Sequence, residues 1–160
     1  MNYFKRSLPI GITILLVAAC GLAPLPDGDL TGAQRSARGS SIQHEGYVEV
    51  TGVIGPGALY SLRRPDVWNG NLVLYAHGYV NPTDPLMLPD QIPSELQVNQ
   101  VFDLLLSQSY AVAFSSYSDN GWAIKDGIIR TKQLKGLFRS NFGKPDRTYL
   151  IGSSMGGLIA

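Results

Sequence analysis

Apolar residues along this chain come in short blocks, and the spacing inside each block predicts its element. Tyr47-Val48-Glu49-Val50-Thr51-Gly52-Val53 alternates apolar with polar, and Ala58-Leu59-Tyr60-Ser61-Leu62 follows after Gly55-Pro56-Gly57, so the two predict an antiparallel hairpin. Arg63-Arg64-Pro65 and Trp68-Asn69-Gly70 are then expected to turn the chain. Asn71 to Ala76, Tyr110 to Ser115 and Thr148 to Ile151 are instead nearly continuous apolar runs, as in strands buried on both faces of a parallel sheet.

Two helices separate these runs. Ser94, with Gln97 three residues later, reads as a capping box opening a helix through Leu96, Val101, Leu104 and Leu105. The second helix is expected from about Lys125 to Ser140. Ile128, Ile129, Leu134, Leu137 and Phe138 would face the sheet, and Arg130, Lys132, Lys135 and Arg139 would form a solvated face. Asn141 to Pro145 ends it, and the proline-rich stretch from Pro82 to Pro93 reads as a non-helical rim. Strands alternating with helices predict an α/β domain: a mostly parallel sheet, helices on both faces and an antiparallel hairpin at one edge.

The N-terminal region predicts export. Residues 1–19 carry Lys5 and Arg6, an apolar stretch from Leu8 to Ala19 and no acid, which reads as a secretory signal too short for a comfortable span. Val17-Ala18-Ala19-Cys20 is similar to a bacterial lipobox, so Cys20, the one cysteine, is expected to carry lipid and anchor the chain to a bilayer. A cleavable signal with an incidental Cys20, or an uncleaved anchor, are the alternatives. Gly21 after the cysteine, rather than Asp, resembles sorting to the outer membrane of a Gram-negative cell. Residues 20–42, rich in Pro, Gly and Ser, read as a tether and residues 43–160 as the domain. The formal net charge is +1, and removing residues 1–19 with their two basic groups brings it to −1, which excludes an electrostatic footprint for nucleic acid.

Chemistry concentrates at Gly152-Ser153-Ser154-Met155-Gly156, which follows an apolar run and opens Leu158-Ile159-Ala160. A G-x-S-x-G between strand and helix is a nucleophile elbow, and the neighbouring glycines let backbones crowd a tight turn. Ser154 is therefore the candidate nucleophile; the alternative is a glycine-rich turn that binds something non-covalently. A Rossmann fingerprint fails because Ser154 replaces its second glycine, and a P-loop fails for want of G-K-[ST]. Upstream, the run Asn71 to Ala76 ends in His77-Gly78-Tyr79, where His77 is expected to hydrogen-bond to backbone and shape the turn. His44 reads as a solvated loop residue. Asp119 and Trp122, at the polar and aromatic end of another strand, are candidate substrate contacts because open α/β sheets place ligands at strand C-termini. No metal or cofactor is implied.

With Ala76-His77-Gly78-Tyr79, Ser115 to Trp122 and Gly152 to Gly157 in this order, the chain from Tyr47 to Ala160 resembles the α/β-hydrolase superfamily. Within it, the chain is similar to secreted bacterial hydrolases that pair an AHG strand end with a GxSMGG elbow. The resemblance implies that the main-chain N–H groups of Tyr79 and Met155 form an oxyanion hole, supported by the loop at His77 and Gly78. It implies an esterase, lipase or peptidase-like enzyme acting on a small-molecule or peptide ester or amide. Many relatives have His where this chain has Ser153. The family's triad continues with an acid and then a His after the serine, whereas this sequence ends six residues past Ser154, so the chain is expected to be the N-terminal part of such a domain. A non-catalytic lipoprotein remnant with the same partial fold is the alternative.

Overall fold

A computed structural model describes residues 39–160. Six strands form one mixed sheet in the order β1-β2-β3-β5-β4-β6: β1 (Ser40–His44), β2 (Tyr47–Ile54), β3 (Ala58–Pro65), β4 (Asn71–Ala76), β5 (Ala111–Ser115) and β6 (Arg147–Gly152). Neighbours from β1 through β3 to β5 pair antiparallel, and β5, β4 and β6 pair parallel. Helix α1 (Val98–Ser107) links β4 to β5, and α2 (Ile124–Phe142) links β5 to β6. The first link steps one way along the sheet and the second steps back over β4. Two right-handed crossovers of opposite direction must lie on opposite faces, which is why the sheet is covered on both sides.

The apolar runs divide between those faces with a period of two. Leu72, Leu74, Ala111 and Ala113 pack with Val50, Tyr60 and Leu62 against Leu134 and Phe138 of α2. Tyr75, Val112 and Phe114 turn to the other face and meet Val98 and Phe102 of α1, where the Phe102 and Phe114 rings stack with centroids 4.5 Å apart. Fully burying one such ring stabilises by roughly 2 to 3 kcal/mol, so these two clusters are the main source of cohesion.

Several expectations change. Ser40 to His44 form an edge strand on β2, so the chain is already extended and paired inside the segment read as tether. His44 is no loop residue: it ends β1, stacks on Tyr47 at 4.6 Å and contacts Glu49 Oε2 at 3.1 Å. Arg63 and Arg64 continue β3 rather than turn the chain, because Glu49 and Asp90 pair with the Arg63 guanidinium over the Phe114 ring. The Ser94 capping box does not form. Pro89–Gln91 and Pro93–Glu95 make two short 3-10 turns, and α1 begins only at Val98 after an N-cap, Gln97, without a side-chain bond. Its buried face is therefore Val98 and Phe102, while Leu96, Val101 and Leu104 are exposed.

In α2, Arg130 lies inward, only 8% exposed, and Ile129 lies outward at 40%. The buried face runs through Gly127, Arg130, Thr131, Leu134 and Phe138, and one residue off that stripe rotates Ile129 to solvent. Asp126 and Gln133 accept hydrogen bonds from the Arg130 guanidinium at 3.0 and 2.7 Å, which satisfies a cation that would otherwise be costly to bury.

Candidate active site

Register assembles the site. Parallel pairing of β4 with β6 places Ala76 opposite Gly152, so the next residues of the two chains, the His77-Gly78-Tyr79 loop and the Ser153-Ser154-Met155 turn, leave the sheet side by side. The Ser153 N–H donates to the Ala76 carbonyl at 3.1 Å and continues the ladder by one bond. A Cβ built on Gly78 would sit 3.3 Å from the Ser154 Cβ.

Ser154 itself has φ of 51°, a left-handed conformation that costs a non-glycine residue on the order of 1 to 3 kcal/mol. This reversal swings the serine off the end of β6 into a short 3-10 helix, Ser154–Leu158, and leaves it exposed. The turn tolerates no side chain at two neighbours. A Cβ at Gly156 would strike the Ala76 carbonyl oxygen, and one at Gly152 would strike the Gly156 carbonyl. Met155 is buried and packs with Ala76, Tyr117 and Ile159. Among the described residues, the main-chain N–H groups of Met155 and Tyr79 reach no acceptor. One of these donors follows the exposed serine in the chain, and the other follows Gly78, which packs against that serine.

His77 is 1% exposed, with its ring stacked on Tyr117 at 3.8 Å. Its Nδ1 lies 2.8 Å from the Gly78 carbonyl oxygen, and because a carbonyl only accepts, Nδ1 carries the proton. Burial holds the imidazole below its ordinary pKa, although the Gly78 carbonyl and Glu95 act in the opposite sense, so the ring is neutral at pH 7. The Tyr117 hydroxyl donates to the His77 carbonyl at 3.1 Å. Burial raises the Tyr117 and Tyr75 hydroxyls well above their usual range, so both remain donors.

Gly78 is gripped from the other side by Glu95. The Gly78 N–H donates to Glu95 Oε1 at 2.7 Å, and the Tyr75 hydroxyl donates to Glu95 Oε2 at 3.0 Å. Neither Glu95 nor Tyr117 stands out in the sequence. The available signal was slight: Glu95 is the one acid between Asp90 and Asp103, and it follows a proline that forces the short turn. A cavity of about 300 Å³ lined by Tyr75, Glu95, Val98, Ile151 and Ser153 opens beside the elbow.

The remaining candidates lie at the rim. Tyr79 and Trp122 are 46% and 72% exposed, and their rings approach to 5.8 Å. Asp119 is exposed, and the carboxylate that orders this loop is Asp126, whose Oδ2 accepts the Ser118 N–H at 2.6 Å. Cys20 lies outside the described residues, as do residues 1–19 and most of the tether. No histidine nitrogen is hydrogen-bonded to Ser154 among the described residues: His44 is on the far edge strand and His77 is engaged with Gly78.

No protein-family model matches the chain, and no curated protein matches it. Solved structures do. The esterase Pf2001 of Pyrococcus furiosus in its C2221 crystal form superposes with a TM-score of 0.50 at 22% identity, covering 71% of this chain and 42% of that one. Its P21 form gives 0.51 at 21% identity, covering 71% and 44%. Acetyl xylan esterase 1 from Thermoanaerobacterium sp. gives 0.45 at 18% identity, covering 76% and 45%. The likeness to Pf2001 is one of fold: the chain has an α/β-hydrolase-type sheet with helices on both faces, and it spans less than half the length of that esterase.

Proposed function

We propose that this chain is the nucleophile-bearing part of a serine hydrolase that cleaves a carboxylic ester or amide through an acyl-enzyme on Ser154. The observation that carries the reading is the left-handed Ser154 at the tip of β6, set against the Gly78 loop with the Tyr79 and Met155 N–H groups free. In the reaction the Ser154 Oγ attacks the substrate carbonyl carbon, a C–O bond forms and the hydroxyl proton passes to a general base. The carbonyl oxygen takes up negative charge and accepts hydrogen bonds from the two free N–H groups; one such donor is typically worth about 3 kcal/mol to the transition state. Collapse expels the alcohol or amine, which receives the proton, and water then cleaves the acyl-enzyme. We assign the base and its carboxylate partner to parts of the fold outside the described residues. The segment Val17-Ala18-Ala19-Cys20 supports placing the enzyme at a bacterial membrane surface, lipidated on Cys20.

The test uses a fluorophosphonate at alkaline pH, where solvent hydroxide takes the serine proton that the base would take; the reagent, far more electrophilic than an ester, still needs a positioned serine and oxyanion donors. Mass spectrometry of the folded 160-residue protein is expected to place the adduct on Ser154. Equal labelling after denaturation, or undiminished labelling of Ser154→Ala, defeats the proposal.

A further inference from the structure

The two peptide units on either side of Gly78 are fixed at three of their four polar ends, and the fourth is the Tyr79 N–H. In the first unit, the His77 carbonyl accepts from the Tyr117 hydroxyl and the Gly78 N–H donates to Glu95. In the second, the Gly78 carbonyl accepts from His77 Nδ1. A trans peptide is planar, with its C=O and N–H pointing in opposite directions, so holding the Gly78 carbonyl inward aims the Tyr79 N–H outward. That orientation holds only while the preceding unit cannot rotate about the Gly78 torsions, which are the softest in the loop because glycine has no Cβ.

We infer that Glu95 is a positioning residue for the oxyanion hole: by accepting the Gly78 N–H it clamps the first peptide unit, and so keeps the Tyr79 N–H directed at the carbonyl oxygen of a substrate attacked by Ser154. This inference rests on the nucleophile assignment above. Glu95 suits the task because its other oxygen is anchored. The Tyr75 hydroxyl donates to Oε2, and the Tyr75 ring is itself held edge-on by Phe102 of α1 at 5.4 Å. The clamp therefore runs from the core of the α1 face, through Tyr75 and Glu95, to the loop. A carboxylate accepting a backbone N–H is also among the stronger hydrogen bonds. Both Glu95 oxygens are occupied, by the Gly78 N–H and the Tyr75 hydroxyl, so Glu95 acts on the site through Gly78.

Three variants of the 160-residue protein test the clamp: Glu95→Ala, Glu95→Gln and Tyr75→Phe. The readouts are the rate of fluorophosphonate addition to Ser154 at alkaline pH, with hydroxide as the proton acceptor, hydrogen exchange at the Gly78 amide and the thermal midpoint. Glu95→Ala is expected to slow addition about tenfold, because misdirecting one donor by a fraction of an ångström weakens stabilisation of the oxyanion. Gly78 exchange should accelerate by about tenfold as its bond is lost. Glu95→Gln keeps an acceptor oxygen and should restore both rates to near wild type, which a merely structural role would not require. Tyr75→Phe frees the carboxylate without removing it and should give roughly a threefold slowing, so it serves if the alanine variant does not fold. Wild-type addition and exchange rates in Glu95→Ala, or in Tyr75→Phe if the alanine variant does not fold, overturn the clamp, as does a Glu95→Gln that behaves like alanine. If wild-type Ser154 does not react at all, the nucleophile assignment fails, and the Gly78 exchange still decides whether Glu95 holds the loop.

Discussion

The Ala76 carbonyl oxygen, at the end of β4, accepts the Ser153 N–H at 3.1 Å and lies where any side chain on Gly156 would have to go. One carbonyl thus fixes both ends of the turn that carries Ser154. The serine's left-handed backbone is strained locally, and this contact with a buried strand end is what holds it.

Gly156→Ala follows directly. The added methyl overlaps the Ala76 carbonyl, which is backbone at the buried end of an internal strand and cannot step aside. The turn must move instead, at a cost of about 1 to 3 kcal/mol typical of overpacking. Urea unfolding should show that loss, and fluorophosphonate labelling of Ser154 at alkaline pH should fall by more than tenfold as the serine leaves its position.

The pH dependence of stability should carry the signature of His77. Its imidazole is held below the ordinary value of 6.5 by burial, so the unfolded chain takes up a proton before the folded one does. The stabilisation is complete above pH 6.5 and is lost as pH falls through the lower folded value. Glu49 contributes further down. Burial alone would raise its pKa, but hydrogen bonds from Ser61 and Arg63 outweigh that and hold it below 4.5, so its share is lost only in stronger acid. His77→Asn keeps a donor near the Gly78 carbonyl and does not titrate. Thermal midpoints measured from pH 7.5 to 5 should decline in the wild type and stay nearly flat in the variant; parallel curves would assign the acid sensitivity elsewhere.

What the sequence made legible was whatever has a local pattern. The runs ending at Ala76 and Ser115 are apolar because both faces are covered, and the run ending at Ile151, exposed among the described residues, carries the elbow. Ser40 to His44 has no such pattern and becomes a strand only because β2 offers it backbone partners. Arg130 looks like a surface cation until the folded helix sets Asp126 and Gln133 beside it. Glu95 belongs to the site through a contact with Gly78 seventeen residues away, which depends on how two 3-10 turns carry the chain back to β4. The motifs mark the loop and the elbow; the groups that hold them come from tertiary packing.

Lipidation is tested independently of the fold. Val17-Ala18-Ala19-Cys20 behind a charged and then apolar leader predicts that Cys20 becomes an acylated N-terminus. In a bacterial host, Cys20→Ser should abolish palmitate incorporation and release the protein from the membrane fraction. Unchanged labelling and partitioning would leave Cys20 incidental.

Strand β6 pairs with β4 on one side and has no strand on the other among the described residues. Tyr149, Leu150 and Ile151 are exposed there, although their continuous apolar run matches strands that are buried on both faces. An apolar hollow flanks each face of the strand: one of about 280 Å³ with Leu74, Ile128, Leu150 and Ile159, and one of about 390 Å³ with Val73, Val101, Leu105, Tyr149 and Ile151. A free row of backbone donors and acceptors between two apolar hollows is a template for pairing with another chain. Residues 39–160 expressed alone, which keep β1 on β2, should therefore bind ANS and self-associate as concentration rises. Leu150→Lys puts a charge on the open edge without touching Ser154, and should lower both ANS binding and the light-scattering mass. A monomer with a sharp two-state melt and no ANS signal in the unsubstituted chain would mean that this edge is satisfied within one molecule.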